Sequence, residues 1–386
     1  LGATGRPPAQ PDSEILRGRL AGGGRAGYRR DGFREGGAMG ERIISRRGAL
    51  RAAAGAVAVG CAGPADGPGG PVVVYAALDR EFSEPVLVDA AAALGLRILP
   101  KYDIESTKTV GLASAIAAER ARPICDLFWN NEILHTLRLK RQGLLAPLSP
   151  PPRAAARIPA PFRDPDGTWF GFAARARILL VNTEVLPDAA SRPASLLDLA
   201  APAWKGRCAI AKPLFGTTAT HAACLFAAWG SERARGFFTQ LRDNGVQVLS
   251  GNKGVAQAVA AGDVAFGLTD TDDALVELDA GRPVAIVYPD QAEGALGTLF
   301  IPNTLAAIRG APHPVAAARL ADAIVSALTE RRLAVGPSGQ IPLFSDPPSD
   351  FRIATPRSVR PMPVDFAAAA DRWDEAAAFL AGRFAG

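Results

Sequence analysis

The chain is poor in the side chains that carry out chemistry. Its 386 residues include three histidines, four cysteines and two methionines, and aromatics make up 7%. His135, His221 and His313 stand far apart in sequence. No HExxH, GxSxG, Walker-type loop or dinucleotide glycine fingerprint occurs, so no nucleophile is paired with a base. His221 falls on an apolar helical face and reads as a core residue. Beyond Cys61 only Cys125, Cys208 and Cys224 remain, in apolar runs without CxxC spacing. They allow one disulfide at most and exclude a disulfide scaffold, so buried thiols are expected. Long apolar runs are lacking too. Residues 52–60 are apolar but far short of the roughly 20 residues a spanning helix needs, and no later segment reaches that length.

Acidic residues are scarce at the start of the chain, and this distorts the overall charge. The chain holds 43 basic and 38 acidic residues, but residues 1–60 hold 11 arginines and 5 acids, leaving 32 basic and 33 acidic residues beyond them. The basic pI therefore belongs to the leader, and the body gives no support for nucleic-acid binding. Residues 1–38 show no apolar periodicity and read as an extension upstream of a start at Met39. Residues 39–60 have the order of an export signal: the pair Arg46-Arg47, a short apolar run, then small residues. The pair resembles the twin-arginine class. Ala58-Val59-Gly60-Cys61 resembles a lipoprotein cleavage box without its usual leucine, which would make Cys61 a lipid anchor. Residues 61–70 form a Gly/Pro/Ala linker.

The 326 residues from Cys61 onward exceed a typical single domain, so two lobes are expected. Strands are expected at 72–75, 96–99 and 126–129, alternating with helices at 81–94, 109–120 and 132–142. This alternation argues for α/β architecture with a parallel sheet. After a proline-rich segment, 147–165, a hairpin is expected from 169–172 and 177–182. Further strands fall at 208–211, 264–268, 284–288 and 299–302. Helices are expected at 217–229, 231–244, 255–260, 314–329 and 365–384.

Residues just after strands can face a cleft. Gly216-Thr217-Thr218-Ala219-Thr220 opens a helix, where amides, hydroxyls and the dipole together suit an anion; Thr107-Lys108-Thr109 repeats that chemistry. Each loop could equally be a helix cap. Asp270-Thr271-Asp272-Asp273 offers carboxylates to a hard metal or an ammonium group, or complements a helix dipole. It lacks EF-hand spacing. Asn131 and Glu132 follow the third strand and could reach the cleft. Of Arg175 and Arg177, one is expected to face the cleft as an anion partner and the other to be a solvated strand residue.

The order of segments resembles periplasmic solute-binding proteins of ABC importers. It comprises the export signal, Val72-Val73-Val74-Tyr75, Asp126-Leu127-Phe128-Trp129 with Glu132, Arg175-Ala176-Arg177, and Trp204-Lys205-Gly206. The branch it resembles includes binders of ferric iron, thiamine, aminoethylphosphonate and sugar phosphates. The resemblance covers residues 72–343 and implies a two-lobe periplasmic-binding-protein fold of type II, with the ligand in the interlobe cleft. It divides the chain into lobe 1 (71–174 and 298–345), lobe 2 (175–297) and a C-terminal extension with a helix (346–386). It implies a monomer without cofactor that binds a small ligand without turnover and delivers it to a permease. Ferric binders of this family use a His, a Glu and two adjacent Tyr, with an anion held by Ser/Thr, Asn and Arg. Glu132 falls at the Glu position, Asp79 near the His position, and Thr271-Asp272 at the Tyr pair. Thr217, Thr218, Asn252 and Arg175 or Arg177 match the anion contacts. The anion half is kept and the tyrosinate pair is absent. Two ligand classes follow: a zwitterion with an ammonium end and a phosphonate, phosphate or carboxylate end, or a metal at Glu132 and Asp272 with a bridging anion. The rivals from other classes are an exported metal-dependent hydrolase of phosphorylated compounds and a ligand-sensing module.

Overall fold

The computed structural model describes residues 70–103 and 110–385. Its first half alternates strand and helix: β1 (Val72–Ala76), α1 (Arg80–Leu94), β2 (Ile98–Tyr102), α2 (Val110–Ala118), β3 (Leu127–Asn130) and α3 (Leu134–Arg141). β1 pairs in parallel with β2 and β3. α1 buries Ser83, Val86, Leu87 and Ala91 on one side and ends at Gly95, whose φ of 63° closes the helix in the left-handed region. That spacing puts an apolar stripe on the sheet, and each large aliphatic buried there contributes about 1.5–3 kcal/mol.

After a short β4 (Leu145–Ala146) comes β5 (Trp169–Asn182), a continuous strand of 14 residues, all buried. The expected hairpin is absent. Each of the two arginines within the run has an aspartate beside its guanidinium, so the strand passes through the core unbroken. The second half continues with β6 (Cys208–Ala211), α4 (Gly216–Trp229), α5 (Ser231–Asp243), β7 (Gln247–Leu249), α6 (Asn252–Ala261), β8 (Phe266–Asp270), α7 (Thr271–Asp279) and β9 (Val284–Val287). It closes with β10 (Phe300–Ile308), α8 (Pro314–Ile324), α9 (Ala327–Val335) and α10 (Phe366–Phe384). The single helix expected over 314–329 is two, because Ser326 caps a new start by accepting from Thr329 N.

The strand order is β2-β1-β3-β10-β5-β8-β6-β7, with β4 on β10 and β9 on β5. The sheet is mixed rather than parallel, since β10 and β5 run antiparallel to their neighbours. β5 joins the two lobes: residues 169–176 pair with β10, and residues 177–182 pair with β8 and β9. This is the two-lobe type II binding-protein architecture. Gly267 in β8 lets α6 approach closely, for a Cβ there would collide with Val255.

α10 packs against α4, α3 and α5 and buries Phe366, Trp373, Leu380 and Phe384. The Trp373 ring meets His135 edge-on, with centroids 4.4 Å apart. The three cysteines are buried and unpaired as expected, and burial raises the thiol pKa of each. Among the described residues no helix is long and apolar enough to cross a membrane. Cys61 and the arginine pair lie outside the described residues.

Candidate functional site

Four helices begin around one cavity of about 520 Å³: α1 at Arg80, α4 at Gly216, α6 at Asn252 and α7 at Thr271. A helix start carries unpaired amides and the positive end of the dipole, so this convergence favours negative charge. Gly216 opens α4 with a φ of 60°, and the first amide there bonded back to the chain is Ala219 N, to Phe215 O. The amides of Gly216, Thr217 and Thr218 precede the helical ladder. The cavity nevertheless carries many carboxylates. Asp79, Glu81 and Glu84 enter from the start of α1, and Asp270, Asp272, Asp273 and Glu277 from α7. Arg80, Arg175 and Lys253 are its cations, and Phe82 and Phe215 its aromatics. Among the described residues no tyrosine, histidine or cysteine lines it.

β5 supplies the two arginines, which alternate onto one face because they are two residues apart. Arg175 lines the cavity and is 3% exposed. Its Nη1 lies 3.4 Å from an Asp272 oxygen, while its Nε and Nη2 are buried without a hydrogen-bond partner. Burial opposes its charge, but Asp272, Asp270, Asp79 and Asp273 together outweigh that, and its pKa stands above the ordinary arginine value. It is therefore a permanent cation with unused donors. An unmade buried hydrogen bond costs about 1–3 kcal/mol, so a ligand oxygen placed there would be strongly favoured.

Arg177 is different, and the expectation of a solvated strand residue is corrected: it is fully buried. Nη1 donates to Asp270 Oδ1 at 2.6 Å, Asn252 Oδ1 at 3.0 Å and Thr217 Oγ1 at 3.2 Å, and Nη2 to Thr218 Oγ1 at 3.2 Å. The antiparallel register sets Arg177 opposite Asp270. Thr217 Oγ1 donates to Asp270 Oδ2 at 2.5 Å, and Asn252 Nδ2 donates to the same oxygen at 2.9 Å. The carboxylates of Asp270, Asp272 and Asp273 have oxygens within 4.8 Å of one another, a set that suits a hard cation. Both guanidinium groups already stand against that set.

The structure brings Asp79, Asn131, Arg175, Thr217, Thr218, Asn252, Asp270 and Asp272 to the cavity wall. Glu132 and Thr271 do not line it. Glu132 is fully buried, and its carboxylate accepts from Leu134 N at 2.6 Å, His135 N at 3.0 Å, Asn130 Nδ2 at 2.8 Å and Thr220 Oγ1 at 2.7 Å. Four donors saturate it, so it opens α3 and ties it to α4. Thr271 Oγ1 accepts from Ala176 N at 3.2 Å, anchoring α7 to β5. Thr107 lies outside the described residues. His221 is buried as expected, yet its Nδ1 has no partner. Burial first, and then the Arg177 charge, hold its pKa well below the ordinary value. Sequence reasoning passed over Lys253, Phe82 and Phe215, although Gly251 before Asn252-Lys253 marked a helix start.

The family described as "Bacterial extracellular solute-binding protein" matches residues 121–368. The chain is 26% identical to Iron uptake protein A1 of Synechocystis sp. over 237 residues, 58% of this chain and 64% of that protein. It is 30% identical to the Fe(3+)-binding periplasmic protein of Serratia marcescens over 157 residues, 41% of this chain and 45% of that one. The chain thus spans less than two thirds of the length of these curated relatives. Among solved structures, iron-bound HitA from Pseudomonas aeruginosa superposes with a TM-score of 0.72 at 22% identity, covering 81% of this chain and 98% of that one. AfuA from Actinobacillus pleuropneumoniae, with exogenous fructose-6-phosphate bound, gives a TM-score of 0.70 at 19% identity, covering 82% and 98%.

Proposed function

We propose, from the premise that this chain belongs to the bacterial extracellular solute-binding protein family, that it captures a small zwitterionic solute and hands it to an ABC permease. The solute carries a phosphonate, phosphate or carboxylate at one end and an ammonium group at the other. The observation that carries this reading is Arg175: a buried guanidinium lining the cavity, with Nε and Nη2 unpartnered. Together with the amides at the start of α4 it would hold the anion by paired, charge-assisted hydrogen bonds. Asp272 and Asp79 would face the ammonium end. On binding, Arg175 exchanges its single 3.4 Å contact with Asp272 for the ligand anion, and Asp272 turns to the ligand cation.

The two curated relatives are named for iron, and the solved AfuA structure holds a sugar phosphate. Those ligands belong to those proteins. Here ferric iron is disfavoured because no tyrosine is among the described residues that line the cavity and its clustered aspartates already face two arginines. The leader ending at Cys61 would deliver the protein across the cytoplasmic membrane and tether it there, with the Gly/Pro/Ala segment as spacer. Hinge closure of the lobes would present a joined surface to the permease. The body is read as a monomer that releases its ligand unchanged, without a cofactor.

Isothermal titration with 2-aminoethylphosphonate, O-phosphoethanolamine, fructose 6-phosphate and ferric citrate tests this. A zwitterion should bind most tightly and should raise the unfolding midpoint by an amount equivalent to about 4 kcal/mol at a thousandfold excess over Kd. Tight ferric binding with no response to any zwitterion would overturn it. Turnover of the phosphorylated compounds in the presence of divalent metal would instead support the hydrolase reading.

A further inference from the structure

Thr217, Asn252 and Asp270 line the cavity, but their side chains have little left to offer a solute. Thr217 Oγ1 has one proton and two lone pairs. The proton goes to Asp270 Oδ2, and the lone pairs take Arg177 Nη1 at 3.2 Å and Asn252 Nδ2 at 2.8 Å. Asn252 is used up in the same way. Its Oδ1 accepts from Arg177 at 3.0 Å and Thr218 at 3.2 Å, and its Nδ2 donates to Thr217 at 2.8 Å and Asp270 at 2.9 Å. Asp270 takes the Arg177 charge on one oxygen and both amide and hydroxyl donors on the other. These partners lie 40 to 93 residues from Arg177 in sequence.

We infer that Arg177 is a positioning residue for solute capture: it clamps the starts of α4, α6 and α7 to β5. The side chains of Thr217, Asn252 and Asp270 serve as its fixed floor rather than as ligand contacts. The inference rests on the reading of the cavity as the solute site. The clamp sets where the α4 amides point and how far they lie from Arg175 on the same strand. The charge of Arg177 is matched by Asp270 inside the protein, so it presents no net attraction to an anion. Arg177 keeps only Nε unpartnered and does not line the cavity, whereas Arg175 lines it with both Nε and Nη2 unpartnered and is left to make the contact. A buried pair of this kind is held by mutual need: removing one member strands the other charge, while neutralising both removes the conflict.

Hydrogen–deuterium exchange on ligand-free protein tests the clamp without any solute. In Arg177→Gln and in Asp270→Asn, exchange in the first two turns of α4, α6 and α7 should rise at least tenfold, while α1 and α10 stay within twofold of wild type. The double variant Arg177→Gln/Asp270→Asn, neutral at both positions, should recover to within about threefold. Uniform loosening of the whole chain, or no change in these turns, would overturn the clamp. If the glutamine variant does not fold, Arg177→Lys takes its place. It keeps the charge but not the fork, and selective loosening of the same three turns is expected. The binding arm uses 2-aminoethylphosphonate at a temperature well below each variant's unfolding midpoint. Affinity should fall at least tenfold in the single variants and return in the double; unchanged affinity in a folded single variant would overturn the positioning role. If wild type does not bind this probe, the zwitterion reading fails while the exchange result still decides the clamp.

Discussion

Arg175 and Arg177 stand two residues apart on one strand, face the same side and are both buried, yet they are chemically opposite. Arg177 meets four side chains, is neutralised at 2.6 Å by Asp270 and leaves only Nε unpartnered, away from the cavity wall; Arg175 lines the cavity, meets one carboxylate at 3.4 Å and keeps two nitrogens unpartnered. The difference comes from the neighbouring elements. At Arg177, α4 and α6 both begin within reach, and their first side chains close over the guanidinium. At Arg175 the same helices have opened into the cavity. Burial alone therefore does not mark a ligand contact; unspent hydrogen-bonding capacity at the cavity wall does.

The largest effect that would break this comparison is on stability. Asp270→Asn or Arg177→Gln should lower unfolding free energy by about 3–5 kcal/mol, because each strands a buried charge. Chemical denaturation measures it, and a loss below about 1 kcal/mol would mean that the pair is solvated. Trp373→Ala should cost about 3–5 kcal/mol by a different route, since it empties the contact of α10 with His135 and Arg138 of α3. Unlike Arg177→Gln it should leave solute affinity intact. Arg175→Gln should invert the pattern. It should reduce affinity for a phosphonate or phosphate ligand by about a hundredfold, the value of a charged hydrogen bond pair, with a smaller loss of stability than Arg177→Gln because its ion pair with Asp272 is longer, at 3.4 Å.

A smaller effect concerns pH. Burial depresses the folded-state pKa of both His135 and His221 below 6.5. The unfolded chain thus binds protons first, and stability should be full above about pH 6.5 and fall as pH drops below it, by up to about 1.4 kcal/mol per pH unit for each histidine. His221→Gln should flatten that slope, and in an Arg177→Gln background the His221 contribution should shrink, since Arg177 is part of its cause. The smallest effect is a control: removing the exposed Arg153–Asp322 pair, with Arg153 89% exposed, should change stability by no more than about 0.5 kcal/mol.

Most elements were legible because their signals are local. α1, α5 and α10 each carry an apolar stripe with a stop or cap beside it, and α4 is an apolar run buried on all sides that stops at Gly230. β5 reads as a hairpin in sequence, because the partners of its two arginines, Asp270 and Asp272, lie more than ninety residues on and only the fold brings them beside it. β7 was missed because three residues, Gln247–Leu249, carry too little pattern. Glu132 was placed in the cleft because it follows β3, and then by likeness to a family position. The four donors that saturate it come from its own loop, from α3 and from α4, and a sequence pattern does not list them.

Composition and order thus decided what chemistry was available. They gave a near-neutral body behind sixty residues that are net basic, none of the familiar catalytic motifs, no adjacent tyrosines, and strands alternating with helices in the order of a binding protein. Tertiary structure decided what that chemistry is used for. Whether an arginine, a threonine or a carboxylate can meet a solute depends on how many donors and acceptors it has already spent. Those partners arrive from elements remote in sequence, joined only when β5 crosses between the lobes.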